Sequence, residues 1–376
     1  MIIEKHLVER FFRYVRIDSQ SRDERAMCMY LMRELEEMGF HPLMDQAGEA
    51  FQSNGGNLYC KIPGTLPGEP LLLAAHVDTV GPGRGICPVL QDGYAVSAGN
   101  TVLGGDDKAG VAVIMEAIEQ ITKGKIPHRP VELVFTVGEE IGMKGSALLD
   151  YAAICAKEAI VMDSRGTVGD IKLYAPGKRK LHITVRGRAA HAGACPEQGI
   201  SAISVASAAI AGMKLLRIDG ETTANIGSFL AEGATNVVND LVRIEAEARS
   251  QSAEKLDAQC RHMIQCFETA AAESGAGVAC VVEDGARPYR IREDHPLVQE
   301  LLALCRAEGI EAAATGDGGG SDANNFAAHG IAAIALGCGM DRVHTTEETL
   351  CIRDFVAAAG ILIKLLASDR ANLGAV

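Results

Sequence analysis

The amino-acid sequence predicts an α/β protein, in which a mostly parallel β-sheet covered by helices is interrupted by an inserted ferredoxin-like βαββαβ lid domain. Two observations predict the sheet. Short apolar segments alternate with helical segments from about residue 40 to 175, and this alternation resumes after about residue 288. Alternating buried strands and helices are typical of a parallel sheet with helices on both faces. A third observation, the change of pattern between the two regions, predicts the insertion.

The first region is predicted to begin with two helices. Residues 3–39 have helical periodicity with a break at 19–23, and Gly39 is expected to end the second helix. Three apolar segments then predict buried strands. A helix is predicted after the first strand and another after the second. The strands are LLLAA at 71–75, VELVFTV at 131–137 and EAIVM at 158–162, and the helices are at 106–121 and 144–153.

The lid domain is predicted at residues 178–288, which leaves 1–177 and 289–376 as one discontinuous domain. The insertion is predicted to contain a strand, a helix, two strands, a helix and a strand, which is the order of the ferredoxin-like unit. These elements are placed at 181–186, 199–215, 223–230, 237–248, 253–274 and 278–283. The later elements are a helix at 296–308, a glycine-rich segment, the strand GIAAIALG and a helix at about 350–367.

Composition argues against several classes of function. The chain has 376 residues, enough for two domains, and a formal net charge of -13. Nucleic-acid binding is not expected, because neutralising phosphates requires a basic surface and no segment is rich in lysine and arginine. The apolar segments are shorter than the ~18 residues that suggest a membrane span, and the N-terminal segment lacks the apolar run of a signal peptide. We therefore expect a cytoplasmic protein that does not bind membranes.

The cysteines indicate which ligands a metal site would use. The chain contains 11 cysteines and no CxxC motif. This odd number in a chain of this length favours reduced, buried thiols over a disulfide framework, and the spacing does not match a thiolate zinc site. Any metal ion is therefore expected to be bound by imidazole and carboxylate groups.

Residues that can bind metal ions follow the predicted strands. In an open parallel sheet, ligands bind at the edge formed by the carboxyl ends of the strands. Acidic and histidine side chains lie at or just beyond those ends, or at the start of a helix that follows a glycine pair. They are His76, Asp78, Asp106, Glu139, Glu140, Asp163 and His344.

Each of these motifs also has an ordinary structural explanation. His76 and Asp78 could be a strand-end histidine with a capping aspartate, Asp106 could cap a helix, and the Glu139–Glu140 pair could be solvated. Together, however, the motifs supply two terminal ligands for each of two metal ions, a bridging carboxylate and a base that stays off the metal. Their joint occurrence therefore favours a dinuclear metal centre.

With these motifs the chain resembles the co-catalytic zinc exopeptidases, the family that includes aminoacylase, carboxypeptidase G, carnosinase and peptidase T. The resemblance covers nearly the whole chain, including the lid, and is closest to the peptidase T branch. The motifs that carry it are LLLAAHVDTV at 71–80, GGDDKAG at 104–110, VGEEIG at 137–142, VMDS at 161–164 and RVHTTEE at 342–348.

The resemblance implies a role for each residue of the site. His76 and Asp163 would bind one metal ion, Glu140 and His344 the other, and Asp106 would bridge the two. Zinc is the expected metal, although imidazole and carboxylate ligands also accept manganese and cobalt.

Two further roles concern catalysis. The resemblance implies that the carboxylate of Asp78 orients His76 by accepting its second ring N–H. Glu139 would be the catalytic base that takes a proton from water and returns it to the leaving amine. The resemblance also implies a cis peptide bond between Asp106 and Asp107.

The resemblance also suggests substrate contacts. His191, reaching from a partner subunit, would stabilise the oxyanion, while Asn236 and Arg249 would hold the backbone or terminal carboxylate of the substrate. Gly319 and Ser321 would contribute backbone N–H groups. Seen alone, these are a loop histidine, a turn asparagine, a surface arginine and a flexible loop. Sharing His191 between subunits implies a homodimer formed by the lids.

The expected function is hydrolysis of short peptides by a dinuclear-metal exopeptidase of the tripeptidase type. An amidohydrolase that releases an acyl group from an amino acid, or a carboxypeptidase, could use the same metals and base. A non-catalytic binding or scaffold protein on this fold is a different alternative, which predicts the loss of a ligand or of the base.

Overall fold

The structure is a computed structural model that describes residues 4–316 and 318–368. The chain divides into two units, the first formed by the segments up to Tyr174 and from Arg290, the second by Ala175–Tyr289. Among the residues described, no helix combines the length and the apolar character that crossing a membrane requires.

The described residues form strands, α-helices and short 3-10 helices. The strands are β1 (Leu43–Met44), β2 (Leu58–Ile62), β3 (Leu71–His76), β4 (Pro88–Gln91), β5 (Tyr94–Ser97), β6 (Val131–Thr136), β7 (Glu158–Arg165), β8 (Asp170–Ala175), β9 (Gly177–Arg186), β10 (Leu216–Arg217), β11 (Thr222–Leu230), β12 (Leu241–Ser250), β13 (Gly277–Asp284), β14 (Tyr289–Arg290), β15 (Ala313–Gly316), β16 (Ala332–Asp341) and β17 (Thr349–Cys351). The helices are α1 (Glu4–Val15), α2 (Arg25–Glu37), α3 (Gly105–Lys123), α4 (Lys144–Ala147), α5 (Ala202–Ala211), α6 (Ala253–Ser274), α7 (Pro296–Ala307), α8 (Asp322–Ala328) and α9 (Ile352–Ala367). The 3-10 helices are Ala47–Phe51, Tyr151–Ala153 and Pro196–Gln198.

The large sheet has a parallel centre and antiparallel margins. Its strand order is β1-β2-β6-β3-β7-β16-β17-β5-β4, with β8, β14 and β15 off this path. The adjacent strands β6, β3, β7 and β16 are parallel, whereas β2, β17, β5 and β4 pair antiparallel with their neighbours. Strands β3 and β6 are buried along their whole length, as expected for strands covered on both faces. The predicted mostly parallel α/β sheet is confirmed.

The helices of the first unit bury apolar stripes against this sheet and each other. In α1, Leu7, Phe11, Tyr14 and Val15 recur at helical spacing and are fully buried. Helix α2 ends close to Gly39, which adopts φ +89, a conformation that glycine accepts without steric cost. The predicted break between the two helices and the predicted end at Gly39 are confirmed.

The second unit is a five-stranded antiparallel sheet with two helices. Its strand order is β10-β11-β12-β9-β13, and its longer strands and helices follow the βαββαβ order of the ferredoxin-like unit. Its own core includes Ile183, Ile244, Met263 and Phe267. The two-residue strand β10 adds to the predicted pattern.

Several predicted elements have different bounds. Residues 144–153 form a four-residue helix and a 3-10 helix, and Asp150 accepts the N–H of Ala152 where a continuous helix was expected. The helix predicted at 199–215 is the shorter α5, which Ser201 caps by accepting the N–H of Ser204. The C-terminal helix starts at Ile352, because the preceding residues form β17. The short hairpin of β4 and β5 was not predicted, although Asp92–Gly93 between two short apolar segments is typical of a hairpin turn.

Candidate metal centre

The parallel strands bring the predicted metal ligands to one edge of the large sheet. His76 ends β3, and its Nε2 lies 3.0 Å from Asp106 Oδ1 and 3.9 Å from Asp163 Oδ1 near the end of β7. His344 follows β16, and its Nε2 lies 3.2 Å from Asp106 Oδ2 and 3.0 Å from Glu140 Oε2. All five side chains therefore lie together, although they come from five separate segments of the chain.

Asp106 lies between the two histidines. One of its carboxylate oxygens faces His76 and the other faces His344. Asp106 is not helical, with φ -80 and ψ 104, and its peptide bond to Asp107 is cis, as the resemblance implied. A carboxylate with one oxygen toward each histidine can bridge two metal ions.

Asp107 has a different environment. Its Oδ2 accepts the main-chain N–H of His76 at 3.3 Å, and its Oδ1 accepts that of Gly110 at 3.1 Å. His76, Asp107 and Asp163 do offer ligand atoms within 4.8 Å of one another, as do His76, Asp106 and Glu140. Because both oxygens of Asp107 already accept main-chain hydrogen bonds, its carboxylate connects β3 to α3, whereas that of Asp106 faces the histidines.

The electrostatics of the cluster suit a cation. Burial raises the pKa of Asp163 well above its usual value, and the charge of Asp106 raises it further. Burial also raises the pKa of Glu140, whose Oε1 is buried without a hydrogen-bond partner among the described residues. Divalent cations offset such accumulated negative charge. The donor set of imidazoles and carboxylates, together with this unpartnered oxygen, therefore fits a pair of divalent metal ions.

The histidines carry raised pKa values in the absence of metal. Hydrogen bonds to Asp106 and Glu140 raise the pKa of His344 to about 10. Burial lowers the pKa of His76, but the nearby carboxylates, chiefly those of Asp106 and Asp78, outweigh it and leave that pKa well above its usual value. The ring of His344 is therefore protonated at neutral pH when no metal is bound.

The carboxylate of Asp78 accepts hydrogen bonds from the main chain of Glu139 and Glu140, the acidic pair that follows β6. Its Oδ1 accepts the N–H of Glu139 at 2.9 Å, and its Oδ2 accepts the N–H of Glu140 at 3.2 Å and the hydroxyl of Ser21 at 2.7 Å. His76 Nδ1 lies 2.9 Å from the main-chain oxygen of Asp78 and 3.6 Å from its Oδ1. The predicted hydrogen bond from His76 to the carboxylate is therefore replaced by one to the carbonyl, because the carboxylate turns toward residues 139 and 140.

Glu139 has the environment of a proton acceptor with an unusual pKa. Burial raises the pKa of its carboxyl group well above the usual value; the neighbouring His76 lowers it, while Asp163 and Asp322 raise it. A raised carboxyl pKa close to the working pH favours general acid–base chemistry.

Two acidic residues near the site were not assigned a role from the sequence. Asp322 is buried, and its oxygens accept the hydroxyl of Thr136 at 2.5 Å and that of Ser146. Glu348 is buried and accepts hydrogen bonds from the main chain beside Asp106. Glu348 lies in the motif at 342–348 and Asp322 directly follows the glycine-rich segment, but their contacts come from distant parts of the chain, so no local signal distinguished them.

The predicted substrate contacts of the second unit lie on its surface. His191 and Asn236 are exposed and adjacent, because the N–H of Ala192 donates to the main-chain oxygen of Asn236 at 2.9 Å. Arg249 lies in β12, where its Nε donates to Glu247 Oε1 at 2.8 Å.

The two predicted backbone donors of the glycine-rich segment lie just before α8. Gly319 lies in the loop before α8. Ser321 caps α8 by accepting the N–H of Ala323, and its own main-chain N–H donates to Asn324 Oδ1 at 3.1 Å. The prediction that Ser321 offers its backbone N–H to the substrate is wrong, because this N–H is already used by the helix cap.

The fold, together with the cluster of histidines and carboxylates at the carboxyl ends of the parallel strands, defines a metallopeptidase. The family model that describes peptidase family M20/M25/M40 matches residues 72–368. The chain belongs to this family, and the resemblance inferred from the motifs is confirmed.

Two solved structures and one curated protein are similar to this chain over nearly its whole length. The crystal structure of aminopeptidase PepT from Bacillus cereus ATCC 10987 has a TM-score of 0.92 and 39% identity, and the match covers 97% of this chain and 98% of that one. That of a tripeptidase from Staphylococcus aureus subsp. aureus Mu50 has a TM-score of 0.95 and 35% identity, covering 98% of both chains. The protein YqjE of Bacillus subtilis strain 168 is 39% identical over 366 residues, which are 97% of this chain and 99% of the relative.

Proposed function

We propose that this metallopeptidase removes residues from short peptides at a dinuclear metal centre. The observation that carries the proposal is the position of Asp106, whose two oxygens face His76 and His344 on opposite sides. Two peptidases of similar structure, described as an aminopeptidase and a tripeptidase, support short peptides with a free amino end as the substrate class.

The geometry supports the proposed set of metal ligands. His76 and Asp163 would hold one ion, Glu140 and His344 would hold the other, and Asp106 would contact both. Zinc is the proposed metal, since it is bound readily by imidazole and carboxylate groups in four-coordinate sites. When bound, two such ions polarise the scissile carbonyl and lower the pKa of water toward ~7.

Glu139 is the proposed general base. It takes a proton from the attacking water and transfers it to the nitrogen of the leaving amine as the peptide bond breaks. Three features support this role. Glu139 is next to the ligand Glu140, its main chain is held by Asp78, and burial raises the pKa of its carboxyl group. The raised pKa makes the protonated form accessible for the second transfer.

The second unit is proposed to complete substrate binding. His191 would stabilise the oxyanion, and Asn236 and Arg249 would bind the substrate backbone or its terminal carboxylate. His191 and Asn236 are exposed and therefore accessible to a peptide. Arg249 is half-buried and donates to Glu247, and its guanidinium is of the type suited to a bidentate contact with a carboxylate.

A side-by-side hydrolysis screen tests the proposed function. The protein would be treated with a chelator, reconstituted with zinc, manganese or cobalt, and assayed on tripeptides, dipeptides, amino-terminally blocked tripeptides and N-acyl amino acids. We expect the highest kcat/KM for unblocked tripeptides, loss of activity on chelation and recovery with metal. Preference for N-acyl amino acids would show the amidohydrolase alternative to be correct, and preference for blocked tripeptides would indicate a carboxypeptidase.

A homodimer in which His191 acts on the site of the partner subunit is part of the proposal. Mixing two inactive variants tests it. A Glu139→Gln subunit retains His191, and a His191→Ala subunit retains Glu139, so a mixed dimer regains one complete site if His191 acts across the interface. We expect activity to reappear on mixing and none if His191 acts within its own chain.

A further inference from the structure

The side chain of Glu348 binds the main chain on both sides of Gly105. Its Oε2 accepts the N–H of Gly104 at 2.8 Å, and its Oε1 accepts the N–H of Asp106 at 2.9 Å. Glu348 is 2% exposed, so these hydrogen bonds form out of contact with solvent. A buried carboxylate that accepts two main-chain hydrogen bonds has little freedom to move.

The local backbone requires such an acceptor. Gly104 adopts φ +71 and Asp106 is not helical, so the N–H groups at the start of α3 cannot bond within the helix. Glu348 supplies both acceptors at the start of α3. A Cβ atom at Gly105 would lie 3.0 Å from Glu348 Oε1, so glycine permits the close approach.

Glu348 also connects two parts of the candidate metal centre. It lies four residues after His344 in the same loop, and its N–H donates to the carbonyl of Thr345 at 3.2 Å, which forms a turn. One end of this turn therefore presents the His344 imidazole, and the other end fixes the backbone of Asp106.

We propose that Glu348 is a positioning residue that holds Asp106 between His76 and His344, so that its carboxylate can contact two metal ions. The inference rests on the proposed function, because it assigns Glu348 to the same dinuclear site. Without the carboxylate of Glu348, the N–H groups of Gly104 and Asp106 would lose their acceptors. Asp106 would then sample orientations that do not face both histidines.

The neighbouring Glu347 offers a matched control. It is exposed, its N–H donates to Thr345 Oγ1 at 3.2 Å, and its carboxylate lies 3.6 Å from Arg342 Nη1. Substitutions at residue 347 therefore change the same charge in the same turn without touching the main chain beside Asp106.

The experiment compares Glu348→Gln and Glu348→Ala with Glu347→Gln and Glu347→Ala. The first measurement is hydrogen–deuterium exchange of the metal-free proteins, followed by mass spectrometry of the peptide that contains residues 104–106. We expect faster exchange in this peptide for the Glu348 variants and wild-type exchange for the Glu347 variants. Should Glu348→Ala fail to fold, Glu348→Gln, which has nearly the same volume, decides the result.

The second measurement is zinc affinity by competition with a chelator. Loss of a residue that orients a metal ligand typically weakens binding about 10- to 100-fold, and we expect this loss for the Glu348 variants only. Wild-type exchange and affinity in both Glu348 variants would overturn the proposal. If the wild-type protein itself bound no metal or cleaved no peptide, the proposed function would be wrong. The exchange experiment would still decide whether Glu348 restrains residues 104–106.

Discussion

The carboxylate of Asp78 binds the main chain of Glu139, with Oδ1 2.9 Å from the N–H nitrogen. This hydrogen bond joins a residue just beyond β3 to a residue just beyond β6, so the two neighbouring strand ends are held in one arrangement. The same carboxylate also accepts hydrogen bonds from Glu140 and Ser21. Asp78 therefore acts on the site mainly through the backbone of the acidic pair.

Replacing Asp78 tests this arrangement. In Asp78→Asn, the amide nitrogen cannot accept a hydrogen bond, so at least one of the three donors loses its partner. We expect kcat to fall about 10- to 100-fold with both metal ions retained. The measurements are kcat, KM and metal content. Asp92→Asn is the control, since Asp92 lies in an exposed turn at φ +52, which asparagine tolerates. Wild-type kcat in Asp78→Asn would contradict the prediction.

Substitutions at Glu139 and Glu140 distinguish the proposed general base from a proposed metal ligand. Glu139→Gln removes the proton acceptor but leaves all five proposed ligands, so we expect kcat to fall by about 10² to 10⁴ without metal loss. Glu140→Gln should instead reduce the metal content, because it alters a ligand. Activity assays combined with metal analysis distinguish the two outcomes. A fully active Glu139→Gln variant would remove Glu139 from the proposed role.

Metal binding should release protons. In the metal-free protein, hydrogen bonds to Asp106 and Glu140 raise the pKa of His344 to about 10, so its ring is protonated at neutral pH. A metal ion requires the neutral imidazole, so binding must displace this proton, and apparent affinity should increase as pH rises toward 10. Calorimetry in buffers of different ionisation enthalpy measures the release. His344→Ala should release fewer protons than wild type, and equal release would argue against this assignment.

Ser146 is predicted to stabilise the fold beside the site. Its hydroxyl donates to Asp322, a buried carboxylate that also accepts the hydroxyl of Thr136. In Ser146→Ala, one oxygen of this buried group loses its donor, which should lower the free energy of unfolding by about 1–3 kcal/mol. Thermal unfolding measures the effect. Ser274→Ala is the control, because that hydroxyl donates only to carbonyls of its own helix.

Much of the candidate site could be predicted from the sequence because it follows the strands. His76, Glu139 and Asp163 stand at the ends of apolar segments whose periodicity is local, and parallel strands bring such ends to one edge. The choice between Asp106 and Asp107 could not be made in this way from residue type or spacing. It depends on Asp107 accepting the N–H groups of His76 and Gly110, which is a property of the folded chain.

Two predictions were wrong because a side-chain oxygen accepts a main-chain N–H in the folded chain. Ser321 was predicted to offer a backbone donor, but the side chain of Asn324 accepts that N–H in a helix cap. The helix predicted at 144–153 is shorter because a side-chain hydrogen bond at Asp150 competes with helical ones. The roles of His191, Asn236 and Arg249 remain predictions.

The sequence by itself determined the central strands, most of the longer helices, the ferredoxin-like pattern and the residue types available to a metal, because these depend on periodicity over a few neighbouring residues. Only the tertiary structure decided which carboxylate faces which imidazole and which acid holds the main chain. Asp106 and Glu348 are 242 positions apart, and no local pattern links them. Their hydrogen bond exists because the sheet brings both loops to the same edge.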